Sequence, residues 1–293
     1  MSVRLLSLVV LASVWFCAWA VPPQTNPNTI TSDGQIWFAV QGNFGLQAAI
    51  VPIFKVEGST VCGVPEGCGD TPEARYGEFE KKYLIRGRRY PVQFGGAAAG
   101  YIQIEEADPE FGTAYAKYHG RAPLGGRILG LATTRINKAK LRSSRKRPTA
   151  TQETAAVELA KSLFEKSGLK VSTLPKIQII NLTVTRLTPA NQEIFIGSFK
   201  AEGKDGLVHG LFFIATLVQS VLTPEFVWAH VAQSESDGET MAFVDQADLF
   251  ADGREEIVTE ITYYENWSYV VLRRANGKHG WETFFETATL GCE

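Results

Sequence analysis

The stretch TATQETAAVELAKSLFEKSG, residues 149–168, decides the fold class. Thr149 and Gln152 have the spacing of a capping box, in which each side chain satisfies a backbone N–H left open by the first helical turn. Ala156, Val157, Ala160, Leu163 and Phe164 then recur along one face at helical period. Gly168 stands where a left-handed residue closes a helix. The opposite face is polar, so the apolar stripe must lie on another element, and the following segments provide a sheet. Residues 177–187, 193–201 and 207–218 are β-branched or aromatic with turn residues between them, and 226–233 and 241–244 continue the pattern. Runs at 256–264, 269–274 and 281–285 close the chain, with the hairpin dipeptide Asn276-Gly277 between the last two. One helix followed by a meander is an α+β arrangement, predominantly antiparallel β.

Upstream the chain reads as β throughout. From Ile36 to about residue 134, runs such as 90–94, 101–104, 113–119 and 127–133 alternate with Gly-containing turns. The Gly95-Gly96-Ala97-Ala98-Ala99-Gly100 segment precedes a strand rather than a helix, so it reads as a hairpin turn and not a dinucleotide loop. Arg135, Lys138, Lys140, Arg142, Arg145, Lys146 and Arg147 follow without an acid between them, and Pro148 ends the run. The expected organisation is a leader at 1–20, a β-rich domain at 21–134, a basic linker or exposed loop at 135–148, and a helix-plus-sheet domain at 149–293.

The leader has Arg4, an uncharged run from 5 to 16, and Ala18-Trp19-Ala20 before Val21-Pro22-Pro23. That is the layout of a cleavable export signal cut after Ala20, and it predicts a secreted or periplasmic protein. The run is shorter than the about 20 residues of a membrane span. The alternative, an acyl anchor on Cys17, meets bulky Val14, Trp15 and Phe16 where small residues belong. The chain has 29 Lys and Arg against 31 Asp and Glu, a net charge of −2 that loss of Arg4 takes to −3. This balance points away from nucleic acid as a partner. In an oxidising compartment Cys62 and Cys68, at the two ends of a Gly/Pro loop, are the expected disulfide, and pairing of either with Cys292 is the alternative.

The segment DQADLFADGREEI, residues 245–257, carries the most chemistry. It resembles the calcium-binding Asp-Leu-Asp-Gly-Asp-Gly loop of FG-GAP-type repeats. The resemblance implies Asp248, Asp252 and Glu256 as calcium ligands around a turn at Gly253, since calcium takes six to eight oxygens. Phe250 and Ala251 stand where that family has an Asp and a Gly, which removes one ligand. A plain turn before a strand is the other reading. Residues 183–194 echo the same strand–loop–Glu-Ile pattern 63 positions earlier. The last fifty residues or so also resemble the tail of uncharacterised exported bacterial proteins, which implies no activity.

Tyr264, Trp267 and Tyr269 stand beside Glu265 and Asn266 and could stack on a carbohydrate or protein ligand; packing in the core is the competing reading. The four histidines are scattered, with no His-Glu-x-x-His motif and no Gly-x-Ser-x-Gly elbow. The expected function is a non-enzymatic binding or envelope-associated module, with calcium as the one candidate cofactor. The alternative is a hydrolase with its site between the halves, where Glu105, Glu106 or Glu265 would have to meet a histidine.

Overall fold

Alternation within β1 (Gln35–Gly42) sets the architecture. Ile36, Phe38 and Val40 belong to one core, and Trp37 and Ala39 to another, because successive side chains of a strand point to opposite faces. The first core fills a barrel. The computed structural model describes residues 34–42, 47–64, 72–108, 112–120, 128–136, 139–169, 177–190, 192–203, 206–263, 266–275, 280–288 and 290–291. In it β1 pairs with β2 (Gln47–Glu57) on one side and β7 (Ile128–Thr133) on the other. Next to β7 lie β4 (Arg89–Phe94), β5 (Ala97–Asp108) and β6 (Thr113–Gly120) in turn, and β6 returns to β2. Six antiparallel strands thus close on themselves, and β3 (Thr60–Gly63) extends the far half of β2. Where Trp37 opposes Phe54 and Phe38 opposes Pro52, Ile53 is left over as a bulge, which bends the strand around the barrel.

A helix in this half corrects the expectation of one helix overall. α1 (Pro72–Tyr83) sets Phe79 against Phe38, with ring centroids 6.5 Å apart, and Leu84 follows into the same core. Its sequence, PEARYGEFEKKY, has a glycine in the middle and no apolar stripe. Packing on the barrel, not periodicity, stabilises such a helix. The one local signal is Pro72 at its first position.

The second half keeps the expected helix and antiparallel strands but divides the expected meander into two sheets. α2 (Ala150–Lys166) has both hydrogen bonds of the Thr149–Gln152 capping box and buries Ala156, Ala160, Leu163 and Phe164. Gly168 is left-handed, with φ 97°. The helix lies on a four-stranded meander of β8 (Ile177–Arg186), β9 (Glu193–Glu202), β10 (Val208–Val218) and β11 (Val221–His230). A third, central sheet contains β12 (Thr240–Ala247), β13 (Glu256–Thr262), β14 (Asn266–Arg274) and β15 (Trp281–Glu286), with β16 (Leu290–Gly291) paired to β14.

The central sheet is covered on both faces. Met241, Phe243, Ile257, Ile261, Val270 and Leu272 pack on Ile194, Ile196, Phe212 and Ile214 of the helix-backed meander. Val244, Ala247, Val258, Tyr269 and Val271 pack on Trp37, Ala39, Val51, Phe54 and Leu131 of the barrel wall. The order of layers is helix, meander, central sheet, barrel, and Asp33–Glu293 forms one compact unit. Among the described residues no helix is long and apolar enough to cross a membrane.

Candidate functional site

A two-face-buried sheet has no wet side for its polar residues, so they must find partners inside. One such network joins the central sheet to the basic segment. Asp245 is fully buried on β12 and accepts the Gly95 N–H with both oxygens, at 2.9 and 3.0 Å. Arg145 lies 3.2 Å from it and is held between the rings of Phe94 and Phe243, 4.3 and 4.7 Å from their centroids. Burial pushes the Asp245 carboxyl up to about 6, against the pull of Arg145 and the Gly95 N–H. Beside it Lys140 pairs with Glu255 at 2.5 Å, and Glu255 accepts the Thr188 N–H at 2.7 Å. Gln246 accepts from Thr185 at 2.6 Å and donates to Ser144 at 3.1 Å. Lys140, Ser144 and Arg145 of the basic run are thereby tied to the central sheet, and Lys146 pairs with Glu193.

The structure brings Asp248, Asp252 and Glu256 around one loop. Both oxygens of Asp248 are taken by N–H groups of Asp252 and Gly253, at 3.1 and 3.0 Å. Asp252 accepts the Arg254 N–H at 2.9 Å and faces Arg273 Nη2 at 2.5 Å. Glu256 is fully buried, accepts the Leu249 N–H at 3.1 Å, and lies 3.3 Å from Arg273 Nε. Arg273 also sits over Phe250 and Phe284, 4.9 and 5.4 Å from their centroids. The phenylalanine that replaces the family's aspartate is therefore a platform for a cation the chain itself provides. Ala251, where the calcium loop has glycine, takes the left-handed conformation regardless, at φ 57°. Burial pushes the Glu256 carboxyl up to about 8 and raises Asp248, the backbone N–H groups opposing. Asp248 and Asp252 are thus already spent on N–H groups and a guanidinium, and calcium does not fit without displacing Arg273.

Glu256 also borders a recess of about 270 Å³, with Arg254, Arg273, Arg274 and Pro189 among its walls. Glu105 and Glu106 line a separate depression of about 1000 Å³ with Arg86 and Tyr115, and no histidine is among its walls. Glu265 and Tyr264 lie outside the described residues. Trp267 packs half-buried on the core shared by barrel and central sheet. Tyr269 is fully buried there, where its hydroxyl donates to Glu260 at 3.1 Å and accepts from Gln41 at 3.1 Å. It stabilises the layer contact and offers no ring to a ligand. Cys62 is buried on β3, while Cys68 and Cys292 lie outside the described residues.

Two features on the other side of the central sheet were not legible as sites. A groove of about 480 Å³ opens between the meander and the central sheet, lined by Ile179, Ile180, Lys200, Val208, Glu235 and Tyr263, among others. In the β8–β9 ladder Ile179 opposes Phe199 and Asn181 opposes Ser198, so Ile180 is a bulge. The bulge breaks the alternation and leaves two consecutive isoleucines exposed, 37% and 39%, both on the groove. At the end of β11, His230 meets Asp237 and Glu239 from the 231–239 turn, 3.3 and 3.4 Å away. Their sequence signal is a histidine seven and nine residues ahead of two acids, too common to single out.

No protein family, curated protein or solved structure matches this chain.

Proposed function

We propose that this protein is an exported, non-enzymatic binding module whose groove beside β8 takes an extended protein segment. The observation that carries the reading is the bulge at Ile180, which turns Ile179 and Ile180 into one groove. β8 is an edge of its sheet, where Val184 already pairs with Lys146, and the stretch of that edge around Ile180 is the part where an incoming chain would find unpaired N–H and C=O groups. Exposed apolar side chains beside such an edge, with Lys200 and Glu235 at hand, suit strand addition. By contrast, Asp245, Glu255 and Glu260 are sunk between layers in polar pairs, which supports a structural role for them.

The test uses a permanently unfolded protein, reduced and carboxymethylated α-lactalbumin, with cellohexaose as the carbohydrate arm. Saturable binding of the unfolded chain, lost in Ile180→Asp, is expected. Binding of the sugar alone, or of neither probe, overturns the reading.

A hydrolase is the second reading, favoured by one observation: Glu256, with its raised pKa, borders a recess. It requires hydrolysis that Glu256→Gln abolishes. Export and the Cys62–Cys68 bridge belong to the same proposal; a calcium-stabilised loop at Asp248, Asp252 and Glu256 would require Arg273 to move aside. For the loop, calcium would have to raise the melting temperature of the parent and not of Asp252→Ala.

A further inference from the structure

We propose that the turn between α1 and β4, with the outer side of the barrel beside it, docks on an anionic lipid surface. Residues 81–89 read KKYLIRGRR, five cations with no acid among them. Lys81, Lys82, Arg86, Arg88 and Arg89 are all exposed. Among the described residues, no carboxylate lies within ion-pair distance of Lys81, Arg86, Arg88 or Arg89. The other basic run differs, since Lys140, Arg145 and Lys146 each have an acid of the fold. Glu105 and Glu106 border the same depression as Arg86 without pairing with it. A cluster of like charges left in this state attracts counter-charge from outside the chain.

Charge is half of the pattern. Leu84 is buried in the barrel core, whereas Ile85 beside it is 46% exposed amid the cations. Tyr115 is 39% exposed and shares the depression with Arg86. A polyanion in solution needs only the cations. A membrane interface takes both: phosphates receive the cations, and the boundary of headgroups and acyl chains receives an aliphatic side chain and a tyrosine. Lipid therefore suits the patch better than an acidic polymer.

The backbone fixes the turn. The Gly87 N–H donates to the Ile104 carbonyl at 2.8 Å and the Arg88 N–H to the Ile85 carbonyl at 2.9 Å, while the Arg88 carbonyl accepts the Ile104 N–H at 2.9 Å. Arg89 donates through Nε to Gln103 Oε1 at 2.9 Å and covers the Tyr101 ring, 4.9 Å from its centroid. Arg89, Gln103 and Lys117 are register partners across β4, β5 and β6, so they share one face. That face points away from the core filled by Tyr90, Ile102 and Ala116, and Lys117 extends the positive row. The contact with the central sheet takes its buried barrel residues from β1, β2 and β7, which leaves the outer side of β5 and β6 uncovered by it. The patch does not depend on the groove beside β8.

Co-sedimentation of the protein with vesicles tests the assignment, one set of phosphatidylcholine alone and one containing about a third phosphatidylglycerol. Binding to the anionic set only is expected, falling as sodium chloride is raised to about 0.5 M. Lys81→Gln combined with Arg86→Gln should weaken it roughly thirtyfold, the worth of two charges near such a surface. Among the described residues neither side chain has a hydrogen bond or ion pair to lose, so the fold is not at stake. Ile85→Ser should weaken binding and keep its salt dependence. Arg142→Gln combined with Arg147→Gln, in the other basic run, should leave it unchanged. Heparin serves as the polymer arm. Equal binding to both vesicle sets, no binding, or binding to heparin without the anionic vesicles would overturn the proposal. So would vesicle binding that the Lys81 pair or Ile85→Ser leaves intact, or that the Arg142 pair removes.

Discussion

Glu256 shows how one residue can change meaning when its surroundings are known. In the sequence it is the late acid of a cation loop; in the fold it is a fully buried carboxyl beside Arg273. Its pKa is raised from 4.5 to about 8, so the folded state holds a proton that the unfolded chain releases. The stability that Glu256 contributes is therefore full below about pH 4.5, falls as the pH rises to about 8, and changes no further above that. Melting temperatures measured from pH 5 to 9 should decline in the parent and decline less in Glu256→Gln; equal slopes would show that Glu256 is not the source. Gly95 makes the complementary point. Its φ is +60°, and a Cβ there would overlap Ser143 Oγ. Gly95→Ala should cost roughly 2 kcal/mol or more, read as a drop in the denaturation midpoint, because it also pushes apart the contact that Asp245 needs.

At the scale of elements, the two helices differ in where their stability originates. α2 carries its own start signal and its own stripe, so it was readable residue by residue. Thr149→Ala should lower stability by about 1 kcal/mol, measured by denaturant titration, since it strips the acceptor from the Gln152 N–H. No measurable loss would mean that packing alone sets the helix start. α1 lacks a stripe and exists because the barrel needs Phe79 and Leu84 to fill its interior. Strands behave in the same way. The alternation in β1 is hidden because both of its faces are apolar, and residues 269–272 of β14 form an unbroken apolar run for the same reason. The bulge at Ile180 leaves no mark in a β-branched stretch, because a leftover residue is defined only against its partner strand.

At the scale of the whole molecule, the basic run at 135–147 separates two compositions, and a linker is the natural expectation. In the fold Lys140, Ser144 and Arg145 are tied to Glu255, Gln246 and Asp245, and the core around Trp37 draws residues from both halves. Barrel and central sheet should then unfold together. Urea transitions followed by tryptophan fluorescence and by far-ultraviolet circular dichroism are expected to coincide; two separate midpoints would support independent domains.

The sequence by itself determined the helix at 150–166 with its cap, the meander behind it, the antiparallel character of the rest and the acid loop as a turn. Each of these rests on local chemistry: caps, periods and turn residues act within a few positions. Tertiary structure alone decided that the first sheet closes into a barrel, that the last sheet lies buried between two others, that Arg273 fills the acid loop, and that His230 meets Asp237 and Glu239. Those outcomes depend on which strand pairs with which and on side chains brought together by packing, and no local pattern encodes them.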